Sequence, residues 1–455
     1  MNILHITLGL PQNTTGGLPK YAYDLAKNQT INGHNVSLMY PGRFNIIRKR
    51  TKIVRRKGLP INIFEIINPV HVPIPYGLSK PGLIIDSKSN NAFNEFFDEY
   101  TFDIIHLHTF MGVHEDFFRL AKIKGIKMIY TSHDYFPICP KTTLIDYRGF
   151  NCSGPLPEKC AKCNFNVKDP IIMSRIIRGP VYKRIKNMKL IKLIKKFKNA
   201  KIDKKKTIET YYFDEKTLDS YRKYINYTNR LFSYLDYIHY NSEVAQDVFK
   251  NNNINLPSQI ISISLNHITD KRITNYSKVT NSALRLGYIG PKNYQKGFFN
   301  LYELAKKLYT SELNIELVLW GDDFSEYDVR NQFVKSMGHF KSNDLASVMH
   351  SFDLLIVPSI WKETFGFITL EALSYGIPVI ASNNVGSKDV IKTVLPELIY
   401  SKLEELDSIV KKVYYNRDLI AKYSDEINKI NSQFFDFAHH TDVINDLYKT
   451  IGGVK

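Results

Sequence analysis

A chain of 455 residues is too long for one typical hydrophobic core, so we expect two domains of about 200 residues each. Hydrophobic residues make up 44% and charged residues 23%, a globular balance that excludes a largely disordered protein. The formal net charge of +18 favours an anionic neighbour, which leaves a membrane surface, a nucleic acid and a phosphorylated substrate open.

The chain opens with a strand pattern, Ile3 to Leu8, that no basic leader precedes, and no apolar run approaches about 18 residues. We therefore expect a cytoplasmic protein. The paired glycines Gly16 and Gly17 follow, then a helix from about Leu18 and a strand at Val36 to Met39. This order predicts a Rossmann-like half, although no G-x-G-x-x-G is present. Paired glycines let the backbone approach an anion that a Cβ would obstruct.

Two later strand patterns, Asp103 to His108 and Lys127 to His133, end in histidines. Ligands of open α/β sheets bind at the carboxyl ends of the strands. His108, His133 and the adjoining Asp134 are therefore candidate site residues. A lone histidine is more often structural, and that alternative stays open for His108.

All four cysteines fall in one short stretch, and the last two have C-x2-C spacing. Disulfides are disfavoured in the cytosol, so we predict one tetrahedral Zn²⁺ held by four thiolates. Such a site is closed and hence structural. The alternative is unligated thiols in a loop rich in proline and glycine. The proposed ligands are Cys139, Cys152, Cys160 and Cys163.

A strongly basic segment, Lys183 to Lys206, holds twelve Lys or Arg against one acid, Asp203. An apolar stripe runs through it at helical spacing. Such a helix contacts anionic lipid, or else packs on its own domain with solvated lysines. No nucleic-acid-binding motif is present, so we expect no nucleic-acid partner. The stripe consists of Leu190, Leu193, Ile194 and Phe197.

The predicted first domain covers residues 1–265, with the cysteine cluster at 139–163 and a basic helical insertion at about 170–235. Polar Asn266 to Ser282 is predicted to be a hinge. Over 283–430, strand and helix patterns alternate as βαβ units, which predicts a second parallel-sheet domain. A terminal helical segment over 431–455 follows.

Glu363 and Glu371 stand eight residues apart between the strand patterns Leu354 to Val357 and Pro378 to Ala381. Eight helical residues cover up to about 12 Å, more than the roughly 5 to 9.5 Å between the paired carboxyl groups of glycoside hydrolases. The two acids can instead hold the hexose and ribose hydroxyls at two ends of one extended nucleotide sugar. An ordinary amphipathic helix with two solvated acids is the alternative.

If Phe365-Gly366 opens the intervening helix, a diphosphate would face the amides from Phe365 to Phe367. Unpaired N–H groups and the positive end of a helix attract anions.

The stretch from Trp361 to Ala381 resembles the E-x7-E signature of retaining glycosyltransferases of family 4. That family has the GT-B fold, an α/β architecture of two Rossmann-like parallel-sheet domains facing a central cleft. The likeness runs almost the whole chain. Further matches are Gly16-Gly17, Thr131 to Asp134, Gly290, Lys296-Gly297, Leu317 to Gly321 and Val379 to Ser382.

The resemblance implies that Glu363 contacts the donor hexose, Glu371 the ribose and Lys296 the diphosphate. It also implies that the glycine pair approaches the phosphates and that His133 lies beside the reacting sugar.

The same resemblance implies that a last helix, about Thr441 to Ile451, crosses back to the first domain. A similar cysteine-bearing insertion occurs in a subset of the family.

Two positions depart from the family pattern. An Arg usually follows the glycine of the Gly290 turn, whereas this chain has Pro291, which lacks an N–H, and then Lys292. Whether Lys292 replaces that phosphate contact stays open. The usual N-x-G turn near the hinge is absent, because Ile263 to His267 stands there. Asp322-Asp323 is not a D-x-D, and the predicted transfer requires no metal or other cofactor.

We therefore predict transfer of a hexosyl unit from a nucleoside-diphosphate sugar to an acceptor hydroxyl, with retention at the anomeric carbon. The expected setting is bacterial capsule or exopolysaccharide synthesis on a lipid-linked or polymeric glycan, with peripheral contact to the anionic inner face of the cell membrane. The rival from another class is a non-catalytic GT-B subunit that binds carbohydrate or stabilises a partner transferase. An epimerase of this fold would lack the E-x7-E context, and a phosphorylase needs a cofactor lysine that the sequence does not place.

Overall fold

Two largely parallel β-sheets organise the chain, one of eight strands and one of six. By their internal contacts the residues form two compact units. The first comprises Met1–His239, Phe249–Gln259 and Ile444–Lys455, and the second comprises Tyr240–Val248 and Ile260–Val443. This computed structural model describes residues 1–14, 16–45, 50–56, 61–73, 77–167, 211–272, 283–329 and 331–452. The predicted basic helix at 183–206 and most of the predicted hinge lie outside these ranges.

The eight-stranded sheet has the order β3-β4-β2-β1-β5-β6-β7-β8. From β4 to β7 the neighbouring strands of this order are parallel, whereas β3 pairs with β4 antiparallel and lies at an edge. Chain order reverses between β1 and β5, a topological switch point where ligands of such sheets bind. The strands are β1 Asn2–Ile6, β2 Asn35–Pro41, β3 Lys52–Arg56, β4 Asn62–Ile67, β5 Ile104–Leu107, β6 Lys127–Thr131, β7 Tyr237–Tyr240 and β8 Ser258–Ile260.

Helices of the first unit bury aromatic faces. In the helix Ala92–Glu99, Phe93, Phe96 and Phe97 recur at the spacing of one helical face, and all three are at most 3% exposed. Much of the chain's phenylalanine is therefore core. The other helices are Gly17–Ile31, Gly82–Ile85, Glu115–Ile123, Pro157–Asn164 and Glu215–Phe232, together with Ile444 onward of the helix Phe437–Gly452.

The six-stranded sheet has the order β11-β10-β9-β12-β13-β14, and its neighbouring strands are all parallel. Two of its strands, Leu354–Val357 and Val379–Ser382, are buried along their whole length, as expected when helices cover both faces of a parallel sheet. A second switch point lies between β9 and β12. The strands are β9 Leu284–Ile289, β10 Ile315–Trp320, β11 Val334–Gly338, β12 Leu354–Val357, β13 Val379–Ser382 and β14 Ile399–Tyr400.

The helix that carries Glu371 runs over Phe367–Leu373, so it begins two residues later than a helix opened by Phe365. Gly366 precedes it with a left-handed backbone, which ends the preceding loop. The other helices of the second unit are Glu243–Lys250, Phe298–Thr310, Ser325–Asp328, Leu345–Met349, Lys388–Lys392, Leu403–Tyr415 and Asp418–Ile427.

Candidate functional site

Glu363 lies in the loop after β12 and is only 6% exposed. Two side chains hold its carboxylate by hydrogen bonds. The ammonium of Lys296 donates to Oε2 at 2.8 Å, and the hydroxyl of Ser359 donates to Oε1. The backbone of Glu363 is also fixed, since its N–H donates to the carbonyl of Asn384 at 2.8 Å and its carbonyl accepts from Gly386. Both charge and main chain therefore hold this acid at the end of the second sheet.

Lys296 reaches Glu363 from the loop after β9. Its N–H donates to Asn293 Oδ1 at 2.8 Å, and its Nζ lies 5.3 Å from the centre of the Trp361 ring. The next residue, Gly297, has φ +74°, and a Cβ there would lie 1.8 Å from the carbonyl oxygen of Pro358. A glycine is needed at this point because the loops after β9 and β12 meet at backbone distance.

Gly366 allows a second close approach. Its φ is +97°, and a Cβ would lie 3.3 Å from Glu363 Oε2 and 3.0 Å from Val385. Ser387 donates its hydroxyl to the carbonyl of Gly366 at 3.0 Å, and Phe365 is 2% exposed. Of the predicted donor-binding residues Phe365, Gly366 and Phe367, Gly366 thus lies next to the Glu363 carboxylate.

The carboxylate of Glu371 forms a hydrogen bond with a histidine. His267 Nε2 lies 2.7 Å from Glu371 Oε1. The sequence showed only that His267 stands where the family has a turn, and nothing indicated that it would contact a residue 104 positions away. Each glutamate of the E-x7-E is therefore held by a nitrogen donor, Glu363 by Lys296 and Glu371 by His267.

Lys292, which follows Pro291, is engaged elsewhere. Its Nζ lies 2.5 Å from Glu326 Oε1, and its N–H donates to Asp322 Oδ2 at 2.8 Å. Asp323 Oδ1 accepts from Ser325. The two aspartates therefore act as caps of the loop after β10, and the ammonium of Lys292 is paired with a partly exposed acid.

In the first unit, Gly16 precedes the helix Gly17–Ile31 with φ +127°. His108 is fully buried after β5, and its Nδ1 lies 3.3 Å from Nε2 of the half-buried His133. The ring of Tyr21 stands 4.8 Å from that of His133. The structure thus brings His108 and His133 together at the predicted sheet edge.

Asp134 caps the turn after β6. Its Oδ2 accepts from the Thr109 hydroxyl and its Oδ1 from the Phe136 N–H, each at 2.9 Å. Burial raises the pKa of Asp134 to about 6, against the lowering effect of those two hydrogen bonds.

Three histidines that the sequence did not single out join His108 and His133. His5 pairs with His106 across β1 and β5, and His239 pairs with Thr131 across β6 and β7. The only signal in the sequence was their position in strand patterns, His5 in Ile3 to Leu8 and His106 in Asp103 to His108. The five histidines form one buried polar cluster among the strand ends.

Within the ranges that the structure describes, the ligand atoms of His5, His106 and His108 lie within 4.8 Å of one another, as in a metal site. All six ring nitrogens already have hydrogen-bond partners: Gln29, His108, Tyr448, Thr131, His5 and His133. The arrangement is that of a hydrogen-bond network, since a metal would need lone pairs that these bonds engage.

The four cysteines line one small cavity between the loop 138–155 and the helix Pro157–Asn164. Burial raises the pKa of the Cys139 and Cys160 thiols, and that of Cys163 to about 11. In the described part of the chain no three of the sulfurs lie within 4.8 Å of one another. The set fits a Zn²⁺ ion by donor type and number, and binding would require the thiols to ionise and close in.

Two family models match separate segments of this chain. Residues 15–153 match the family model described as Glycosyltransferase Family 4, and residues 275–415 match glycosyl transferases group 1. Among solved structures, sucrose-phosphate synthase from Thermosynechococcus elongatus aligns with a TM-score of 0.57, 14% identity and 100% coverage of both chains. HepE of Anabaena in complex with UDP aligns with a TM-score of 0.55, 14% identity and coverage of 99% and 100%. The predicted GT-B fold class is confirmed, and the family matches support a GT-B glycosyltransferase.

Curated relatives are similar over shorter stretches. A 41.2 kDa protein in the cps region of Klebsiella pneumoniae is 28% identical over 141 residues, 30% of this chain and 38% of the relative. The lipopolysaccharide 1,2-N-acetylglucosaminetransferase of Salmonella typhimurium is 26% identical over 164 residues, 33% of this chain and 42% of the relative. The chain thus spans less than half the length of these relatives.

The contact at Gly297 gives a prediction about stability. Gly297→Ala should lower the free energy of unfolding by more than the about 1–2 kcal/mol that a left-handed alanine costs, because its Cβ would overlap the Pro358 carbonyl. Gly125→Ala is the matched control, with the same φ of +74° but open space around the added carbon. Chemical denaturation of both variants measures the difference, and equal losses would contradict the predicted overlap.

Asp134 gives a pH prediction. Its pKa is raised from 3.8 to about 6 in the folded state, so between those values the folded chain binds more protons than the unfolded chain. The contribution of Asp134 to the free energy of unfolding is then full below about pH 4 and is lost as the pH rises to about 6. Asp134→Asn should remove this loss, so its advantage over the wild type should grow across that window.

Asp323→Asn is the control for this experiment. The Ser325 hydroxyl lowers the pKa of exposed Asp323, so its contribution has the opposite sign and grows with pH. Unfolding in urea at several pH values checks both variants. Curves for Asp134→Asn and the wild type that stay parallel from pH 4 to pH 6 would refute the assignment.

Proposed function

We propose that this chain is a retaining hexosyltransferase that moves a hexosyl unit from a nucleoside-diphosphate sugar to an acceptor hydroxyl. The observation that carries the proposal is the 2.8 Å pair between Lys296 Nζ and Glu363 Oε2 at the switch point of the second sheet. A buried carboxylate and a partly exposed ammonium at this edge offer one hydrogen-bond acceptor for sugar hydroxyls and one cation for phosphate.

The donor would lie along the segment from Glu363, in the loop after β12, to Glu371, on the helix Phe367–Leu373. Glu363 would accept from hexose hydroxyls, and Glu371, oriented by His267, would accept from ribose hydroxyls. Trp361 supports a ligand here, because its buried Nε1–H has no hydrogen-bond partner among the residues described. Buried donors of this kind are normally satisfied, so a bound ligand is a natural partner.

The transfer itself would depend on positioning and charge. Lys296 would stabilise the negative charge that develops on the departing diphosphate, and that diphosphate would take the proton of the acceptor hydroxyl. Retention follows if the acceptor attacks the face that the diphosphate leaves. His133 keeps the role predicted for it from the sequence, beside the reacting sugar, and no metal is assigned to this step.

The proposed setting is synthesis of a bacterial surface polysaccharide. HepE of Anabaena has been solved with UDP-glucose, and two similar Klebsiella proteins are described by their place in a cps region. The acceptor would be a lipid-linked or polymeric glycan. In the described ranges no helix is long and apolar enough to span a bilayer. Peripheral contact with anionic lipid is supported by the net charge of +18 and by the sequence of residues 183–206.

The activity test begins with a screen of UDP-, ADP-, GDP- and TDP-hexoses by thermal unfolding. A donor at 100 times its Kd should stabilise the chain by about 2.7 kcal/mol. With that donor, Glu363→Gln should lower transfer or donor hydrolysis by about 10²–10³-fold, since the amide cannot hold Lys296 as a charge pair.

Glu303→Gln, an exposed acid on the helix Phe298–Thr310, is the control and should keep wild-type rates. Full activity in Glu363→Gln would exclude the assigned role. Binding of a donor without transfer to any acceptor and without hydrolysis would instead support a non-catalytic subunit.

We also propose that the four cysteines hold one structural Zn²⁺. Protein purified without added metal should contain about one zinc per chain, and Cys160→Ser should lose it and unfold at a lower temperature. Ser153→Ala, in the same loop, should keep it. Metal analysis and mass spectrometry decide the question, and a disulfide in place of zinc would refute the proposal.

A further inference from the structure

Gln29 is a fully buried amide at the centre of the first unit's polar cluster. Its Nε2 donates to Asn445 Oδ1 at 3.0 Å, and it also hydrogen-bonds the hydroxyl of Tyr448. Its Oε1 lies 2.7 Å from His5 Nε2. With its N–H groups directed to Asn445 and Tyr448, the amide has a defined orientation, and His5 faces an oxygen that can only accept.

The Gln29 oxygen determines which nitrogen of His5 carries the proton. His5 Nε2 must carry a proton to donate to Gln29, so Nδ1 of a neutral His5 is an acceptor. His108 Nε2 lies 3.0 Å from this Nδ1 and must therefore be the donor. Nδ1 of a neutral His108 is in turn an acceptor, and it lies 3.3 Å from His133 Nε2.

These proton positions require neutral His5 and His108 rings, and burial keeps both rings neutral. It lowers the pKa of His5 to about 4 and that of His108 well below its ordinary value, with the other histidines of the cluster adding to the second effect. Neither ring is then an imidazolium near neutral pH, so each has one donor nitrogen and one acceptor nitrogen.

A second branch requires the same orientation of Gln29. If Tyr448 accepts from the amide, its own proton goes to His106 Nδ1 at 2.5 Å. His106 Nε2–H then donates to Thr131 Oγ1 at 2.6 Å, and the Thr131 hydroxyl donates to His239 Nδ1 at 2.9 Å. Along both branches, as far as His133 Nε2 and His239 Nδ1, each donor meets an acceptor.

We propose that Gln29 is a positioning residue that fixes the tautomer of His133 through His5 and His108. The proton of His133 is then on Nε2, and Nδ1 is the acceptor. This inference deepens the proposed function and rests on it, because an acceptor nitrogen beside the reacting sugar receives a hydroxyl hydrogen bond where the other tautomer would offer a donor. No proton moves during the reaction in this scheme.

The test is a tautomer measurement that does not depend on activity. In protein labelled with ¹⁵N-histidine at pH 8, the long-range ¹H–¹⁵N pattern of His133, assigned from its loss in His133→Asn, should be that of a neutral ring protonated on Nε2. An Nδ1-protonated ring or an imidazolium in the wild type overturns the proposal without any variant.

Three variants then locate the cause. Gln29→Leu removes the acceptor, so His133 should become a mixture of tautomers, and transfer should fall about tenfold, the worth of one net hydrogen bond. Gln29→Glu places a carboxylate against His5 and favours its imidazolium, whose Nδ1–H would donate to His108, so the tautomer of His133 should reverse. Thr131→Val breaks only the second branch and should leave the tautomer unchanged.

An unchanged His133 pattern in a Gln29→Leu protein that still unfolds cooperatively overturns the relay. A changed pattern with wild-type transfer rates overturns its functional part. Stoichiometric Co²⁺ that displaces the His5 and His108 signals would show a metal site instead. If no donor is ever transferred, the proposed function fails, and the ¹⁵N pattern still decides the relay.

Discussion

A buried carboxylate must be paired, and that requirement organises the second unit. Glu363 is 6% exposed, and removing one partner of such a pair typically costs about 3–5 kcal/mol. Lys296 can reach it only because Gly297 lets the loop after β9 touch the loop after β12, and Gly366 leaves room beside Oε2. The ion pair therefore depends on the two glycines, and it lies at the edge of the parallel sheet where ligands bind.

In the first unit, hydrogen bonds hold a cluster of buried histidines. Both ring nitrogens of His5, His106 and His108 form hydrogen bonds with amide, hydroxyl or imidazole groups. Such a network is stable only when every donor meets an acceptor, so one amide orientation at Gln29 constrains the whole set. The second unit thus holds a buried carboxylate by an ion pair, and the first unit holds buried histidines by hydrogen bonds.

Much of the fold could be predicted from local patterns. The strand Leu354–Val357 was predicted to the residue, because a continuous apolar run between polar turns has few other solutions. The helix Phe367–Leu373 follows the predicted Phe365-Gly366 opening directly, but the left-handed state of Gly366 could not be predicted, because it depends on tertiary contacts. His267 and Gln29 were missed for the same reason, since their partners are distant in sequence and neither position has a motif.

The antiparallel β3 at the margin of the first sheet has a protective consequence. Its segment Lys52–Arg56 brings three basic side chains, and Arg56 pairs with Glu65 of β4. Exposed strand margins invite pairing with another chain, and positive charges there repel an identical copy. The basic side chains of β3 thus disfavour strand-to-strand association of two copies at this edge.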